Sequence, residues 1–278
     1  MRNIEMSYYN IYYYCNIIDN LLHYFTENME WARTGAQFTE PYFENEVPNF
    51  SKYSALHEFC FFAVRVLLNE DAEQSLEIVQ ARYDELSEEK NKAKRLRKAF
   101  QFDEDHSDGK IEIDRMLSFL APKAETFRSF LLDGECKCIP DDYMDFVFAN
   151  GDIEDALIQM SRELFYVLFQ NRDFLFRFNT YMARANPTTI ERCSIPWWVK
   201  RAVKFRDHGR CVYCGVDLSG IIDCEDAGAV HYDHIVSLHE GGLNDVSNIQ
   251  LMCKKCNLSK SGASYTSVVY KDWYDFEI

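Results

Sequence analysis

No run of 18 apolar residues occurs anywhere in the sequence, which excludes a membrane-spanning helix. The N-terminus lacks the charged, then apolar, then small-residue order of a secretory leader. There is no internal repeat and no low-complexity linker, so a solenoid is not expected. Positive charge is scarce: 30 Lys and Arg stand against 45 Asp and Glu, a net charge of −15. That balance is awkward for a protein that would grip nucleic acid over a broad face, because phosphate neutralisation supplies most non-specific affinity. The deficit is uneven. Residues 196–278 hold 9 basic and 11 acidic residues, a net of −2, which leaves −13 on residues 1–195. The acidic part therefore reads as a surface for a protein partner or a second copy of the chain rather than for DNA.

Cysteine, by contrast, is plentiful, with ten in 278 residues. Cys15, Cys60, Cys136, Cys138, Cys193 and Cys224 are scattered, which fits a reducing cytoplasm better than a disulfide framework. The other four form two C-x-x-C pairs with 38 residues between them, in C-V-Y-C-G at 211–215 and M-C-K-K-C-N at 252–257. Two such knuckles present four thiolates to one tetrahedral ion, so Cys211, Cys214, Cys253 and Cys256 are expected to hold a structural Zn²⁺. A pair of redox dithiols is the alternative, and neither knuckle has the strand-to-helix setting which that chemistry uses. Cys136-x-Cys138 is too tight and isolated for a metal site, and Cys224 reads as a spare thiol.

The residues between the knuckles are not those of a plain zinc ribbon. H-Y-D-H-I at 231–235 reads as a short strand, G-G-L-N at 241–244 as a turn, and N-I-Q-L-M at 248–252 as an apolar run. The last Cys is followed by Asn257, Leu258, Ser259 and Lys260, the start of a helix. Together with R-D-H-G-R-C-V-Y-C-G before it, this pattern over about 195–262 resembles the HNH endonucleases with a zinc-stabilised ββα-metal fold. The resemblance implies that Asp233 and His234 fill the first signature position, Asn248 the second and Asn257 the third. Asparagine at the third place departs from the family's histidine and is similar to an HNN variant of the motif. An oxygen ligand there favours Mg²⁺ or Mn²⁺ as the catalytic ion over softer metals.

The residue types also suit the chemistry on their own terms. Phosphodiester hydrolysis needs an activated water and positive charge at the phosphate and leaving oxygen. His234 is suited to take the water's proton near neutral pH, and Asp233 and Asn257 offer two oxygens to one divalent ion. Asn248 is expected to bond the loop backbone and hold His234 in place. Lys260 reads either as a phosphate contact or as a solvated helix lysine. His231, two residues before Asp233 on the same strand face, is a candidate to join the metal or orient substrate. His239 reads as a loop residue.

The fold expected is mainly α: an all-helical domain over 1–190, for recruitment or regulation, followed over 191–278 by a small α+β nuclease domain with its four-cysteine zinc site. Helices are expected from Tyr8 to Phe25, where Ile11, Cys15, Ile18, Leu22 and Phe25 step by three or four, and from Ser54 to Leu68. A long helix with a break near Ser87 follows over 70–100, its basic run Lys90 to Lys98 being a solvated face or a phosphate-contacting strip. Residues 34–50, with Gly35, Pro41 and Pro48, read as a loop, and 103–114 as an acidic turn that fails the register of a calcium loop. Further helices are expected at 111–120, 123–132, 142–149 and 151–183. The punctuation between Asn186 and Pro196 marks the domain boundary, after which a helix from Trp197 to Arg206 carries Lys200, Arg201, Lys204 and Arg206 as DNA-backbone contacts, with Trp197 and Trp198 docking it. The function expected is a metal-dependent DNA endonuclease of the cytoplasm, in a phage-defence or restriction setting and gated by a partner. A zinc module that binds nucleic acid without cleavage, or a nuclease directed at RNA, are the alternatives.

Overall fold

A computed structural model describes residues 5–101, 108–220 and 230–269. Part of the acidic turn, 103–107, and Cys224 lie outside the described residues. Eleven α-helices are described, together with a two-stranded antiparallel sheet. No helix among the described residues is long and apolar enough to cross a membrane. The N-terminal region is mostly helical, and the C-terminal hairpin plus helix with its four-cysteine cluster has the ββα-metal form.

The helices follow apolar periodicity closely. α1 (Ile11–Glu27) buries Ile11, Cys15, Ile18, Leu22 and Phe25 along one stripe. Its tyrosines divide: Tyr8 and Tyr14 are buried, whereas Tyr9, Tyr12 and Tyr13 face solvent. α2 (Met29–Glu44) takes up residues 34–44 of the loop expected over 34–50, and residues 45–50 remain outside any helix. Gly35 is there because the helix comes close to its neighbours: a Cβ would sit 2.7 Å from the Tyr181 hydroxyl and 3.0 Å from the Phe25 ring. Pro41 lies inside the helix, in its last turns. α3 (Ala55–Glu85) joins two expected helices into one of 31 residues, and the chain breaks just beyond it before α4 (Lys92–Phe100), whose N-cap is Asn91. In the basic run, Lys94 and Lys98 pair with Glu89, Lys92 bonds the Leu132 and Gly134 carbonyls, and Arg95 lies 3.6 Å over the Tyr83 ring. These cations are engaged by their own neighbours, which favours the solvated-face reading over a free phosphate strip.

α5 (Glu112–Leu120), α6 (Phe127–Asp133), α7 (Ile139–Ala149) and α8 (Gly151–Leu168) come next. The helix expected over 151–183 is two, because Asn171 caps α9 (Arg172–Ala185) by accepting from the amides of Asp173 and Phe174. α10 (Trp197–Arg206), β1 (Val230–His234), β2 (Ile249–Cys253) and α11 (Lys254–Lys260) complete the order.

Two compact units emerge, and both are discontinuous in sequence. One comprises Met1–Tyr14 with Cys60–Leu164, and its core is built on Phe100, Phe127, Tyr143 and Phe146, with Phe127 5.4 Å from both of the last two rings. The other comprises Cys15–Phe59 with Phe165–Ile278. Phe25, Phe59, Phe178 and Tyr181 pack at its centre. The segment between Asn186 and Pro196 lies inside this second unit.

Candidate active site and metal centres

α10 delivers the chain into the site through a buried ion pair. Val199, Val203 and Arg206 share its inner face. The Arg206 guanidinium donates two bonds of 2.9 Å to the Asp207 carboxylate and one of 2.7 Å to the Ile249 carbonyl, and Asp207 in turn accepts from the Leu251 amide. This bidentate pair ties the end of α10 to β2. Arg206 is therefore not a DNA-backbone contact: its side chain has no solvent exposure and each bond serves the fold.

The first knuckle follows directly. The Cys211 amide bonds the Val216 carbonyl and the Gly215 amide bonds the Cys211 carbonyl, a tight reversal in which Gly215 takes a φ of 73°. The second knuckle is the junction of β2 and α11, where the Cys253 sulfur accepts from the Cys256 amide. The two reversals bring the Sγ atoms of Cys211, Cys214, Cys253 and Cys256 within 4.8 Å of one another, with Cys214 and Cys253 3.8 Å apart. Four sulfurs at about 2.3 Å from a tetrahedral zinc are separated by about 3.8 Å, so the cluster fits a closed structural Zn²⁺ site.

β1 and β2 pair with Asp233 opposite Gln250 and His234 opposite Ile249. The connection between them is stapled by Asn248, which is wholly buried. Its Oδ1 accepts from the Val236 amide at 2.8 Å, and its Nδ2 donates to the carbonyls of Val236 and Leu243 at 3.0 and 2.9 Å. Gly242 makes room for that staple: a Cβ would stand 2.2 Å from the Val236 oxygen and 2.9 Å from Asn248 Nδ2. Gly242→Ala is expected to destabilise the protein by about 1–3 kcal/mol, since backbone and a bonded amide must both move. A thermal unfolding curve that superimposes on that of the unsubstituted protein would show that the loop has slack.

His234 is buried beside the staple, its Nε2 3.0 Å from Asn244 Oδ1. Asn244 is itself oriented, because its Nδ2 donates to Asn49 Oδ1 at 2.7 Å and to the Glu191 carbonyl at 2.8 Å. With both amide hydrogens committed, Oδ1 must accept from His234 Nε2–H, which leaves Nδ1 as the imidazole's basic nitrogen. Burial lowers the pKa of His234 below its ordinary value, opposed by the Asn244 bond and by Asp233. The ring is thus held neutral with a defined free lone pair. Asn244 and Asn49 were not singled out in the sequence. Asn244 stands in the G-G-L-N turn, but a partner 195 positions upstream has no signature in a linear pattern.

On the opposite face of β1 lie His231 and Asp233, and α11 brings Asn257 and Lys260 against them. Asn257 Nδ2 is 3.0 Å from His231 Nδ1, while the Lys260 ammonium donates to Asp233 Oδ2 at 2.6 Å and to the His234 carbonyl at 2.5 Å. Lys260 is accordingly neither a solvated helix lysine nor a phosphate contact here: its side chain is 3% exposed and neutralises Asp233. The carboxylate, the Asn257 amide and the His231 imidazole converge on one face, and a cation already sits against the carboxylate. That oxygen-rich donor set is chemically suited to a hard divalent ion. His239, in a 3₁₀ turn at Leu238–Glu240, is exposed and apart from these groups.

Of the remaining predicted nucleic-acid contacts, Arg201 is exposed, Lys200 lies 5.9 Å over the Tyr232 ring, and the Lys204 ammonium donates to the Ser219 carbonyl. Trp197 does not dock α10 onto a helical surface but stands open to solvent.

Residues 211–262 match the family described as HNH endonuclease, and the region before them is unassigned. No curated protein and no solved structure matches the chain.

Proposed function

Proceeding from an HNH endonuclease domain at residues 211–262, we propose that this protein is a metal-dependent endonuclease that hydrolyses DNA phosphodiester bonds. The observation that carries this reading is His234, kept neutral by burial and fixed in one tautomer by Asn244. A neutral imidazole with an assigned lone pair is what a general base requires before a water can attack phosphorus. A divalent ion, Mg²⁺ or Mn²⁺, held by Asp233 and Asn257 would supply positive charge to the phosphate and the leaving oxygen. His234 Nδ1 takes the proton of the attacking water, Asn244 keeps the ring turned, and Asn248 maintains the loop that runs from the end of β1 to Asn244. His231, bonded to Asn257, orients that amide. A zinc ion bound by the four cysteines would hold β2 and α11 together and would take no part in the chemistry, since four thiolates leave no open place for a water.

Supercoiled plasmid incubated with the purified protein in Mg²⁺, in Mn²⁺ and in neither tests the proposal. Nicking or linearisation that depends on the added ion is expected, and none in either metal counts against it. One observation favours a second reading. The Lys260–Asp233 pair occupies the carboxylate, which suits a nuclease held inactive, or a zinc module that binds nucleic acid without cutting it. A partner meeting the acidic residues 1–195, as in a phage-defence or restriction system, would then release the site. Cleavage by the isolated protein at micromolar concentration or below argues against that gating.

A further inference from the structure

The outer face of α10 reverses the usual arrangement of a surface helix. Val199, Val203 and Arg206 point inward, while Trp197, Lys200, Arg201, Lys204 and Phe205, stepping by three, one, three and one, form a single outward stripe. Trp197 is 78% exposed and Phe205 71% exposed, so two large rings face water on either side of three cations. They line an open cleft of about 750 Å³, to which Tyr232 of β1 also contributes. The Lys200 ammonium sits over that ring, and Lys204, bonded to one carbonyl, retains further donors. Asp217 is the one carboxylate among the lining residues, and it is bonded to Ser219. A net positive, aromatic-walled cleft in a chain of charge −15 is a local inversion of both charge and polarity.

Exposed rings interleaved with cations match one ligand well. A nucleobase stacks on an aromatic ring whatever its identity, and its phosphate is held by the neighbouring Lys or Arg. In a duplex the faces of each base are covered by its neighbours, so the rings offer a paired strand nothing and the cations alone would act. We propose that this cleft binds a single-stranded segment of DNA, with unpaired bases on Trp197, Phe205 and Tyr232 and their phosphates on Lys200, Arg201 and Lys204. The inference rests on the reading of the domain as a DNA nuclease and specifies its substrate as DNA with an unpaired stretch. Tyr232 lies between His231 and Asp233 in β1 with its side chain on the other face, so a strand leaving the cleft reaches Asp233 by crossing the edge of the hairpin.

The test is fluorescence-anisotropy binding of the full chain to a labelled 20-nucleotide single strand, to the same sequence as a blunt duplex, and to the same sequence as RNA. Magnesium is left out without adding a chelator, so that the cysteine-bound ion stays. Single-stranded DNA is expected to bind about tenfold more tightly than duplex. Trp197→Ala and Phe205→Ala should each weaken single-strand binding about tenfold and leave duplex binding unchanged, while Trp197→Phe restores most of the loss. Equal affinity for the two DNA forms, or an equal loss on both in Trp197→Ala, overturns the inference. A tenfold preference for RNA over DNA overturns the assignment of the strand. Plasmid cleavage is scored separately: a protein that cuts but ignores single strands keeps the proposed activity and loses this inference, whereas one that binds single strands and never cuts does the reverse.

Discussion

Replacing His234 by Ala is expected to lower DNA cleavage by a factor of about 10²–10⁴ while leaving the zinc content and thermal unfolding close to those of the intact protein. The magnitude follows from losing the group that, in the proposed mechanism, takes the water's proton. The structural neutrality follows from the surroundings, because the loop is held by the three bonds of Asn248 and not by the imidazole. Asn244→Ala separates the base from its support: the imidazole remains, but nothing selects the Nε2–H tautomer, and a smaller loss of about tenfold is expected, mostly in kcat. The pH profile supplies the sign. Burial lowers the His234 pKa below its ordinary 6.5, so the neutral, basic form persists to lower pH and the rate falls only as pH drops past that depressed value. A divalent ion nearby pushes in the same direction. An acidic limb at or above pH 6.5, or full activity in His234→Ala, would remove His234 from the mechanism.

Loss of the zinc should have a larger structural effect than any single side chain in the site. Cys253 ends β2, caps α11 with its sulfur and stands 3.8 Å from Cys214, so Cys253→Ser removes a ligand and loosens the junction of strand and helix together. Structural zinc sites contribute on the order of 10–16 kcal/mol of apparent binding free energy, comparable to or greater than the roughly 5–15 kcal/mol that holds a typical domain folded. The variant is therefore expected to lose zinc and to become sensitive to protease across residues 211–262, with cleavage abolished. Added Mg²⁺ should not rescue it, because a hard cation has little affinity for thiolates. Metal analysis and limited proteolysis check this. A zinc-free chain that keeps its protease protection would mean that the hairpin and α11 are held by packing alone.

What the sequence made legible was local. The C-x-x-C spacing, the stripe Ile11, Cys15, Ile18, Leu22 and Phe25, and the strand carrying Asp233 and His234 each announce themselves within a few residues, and the structure has them in those forms. The errors are all matters of what lies opposite. Gly35 and Pro41 read as loop punctuation, whereas Gly35 is a close approach to Tyr181 and Phe25 that only the fold creates. Arg206 and Lys260 read as outward cations because their partners, Asp207 with the Ile249 carbonyl and Asp233 with the His234 carbonyl, are set by tertiary geometry. Asn244 escaped notice for the same reason, its role depending on Asn49 and Glu191. The punctuation at 186–196 is real as a break in helix, yet the compact unit around it recruits residues 15–59 as well.

That discontinuity has a consequence during synthesis. Asn49, which turns Asn244 toward His234, leaves the ribosome 195 residues before its partner, and the whole of 60–164 must be made in between. At about 5–20 residues per second, the upstream half of the unit waits on the order of ten seconds or more for the segment it packs against. Until residue 244 has been made, no nascent chain holds the group that orients the His234 ring. The orientation of that ring is therefore set only after both halves of the unit exist.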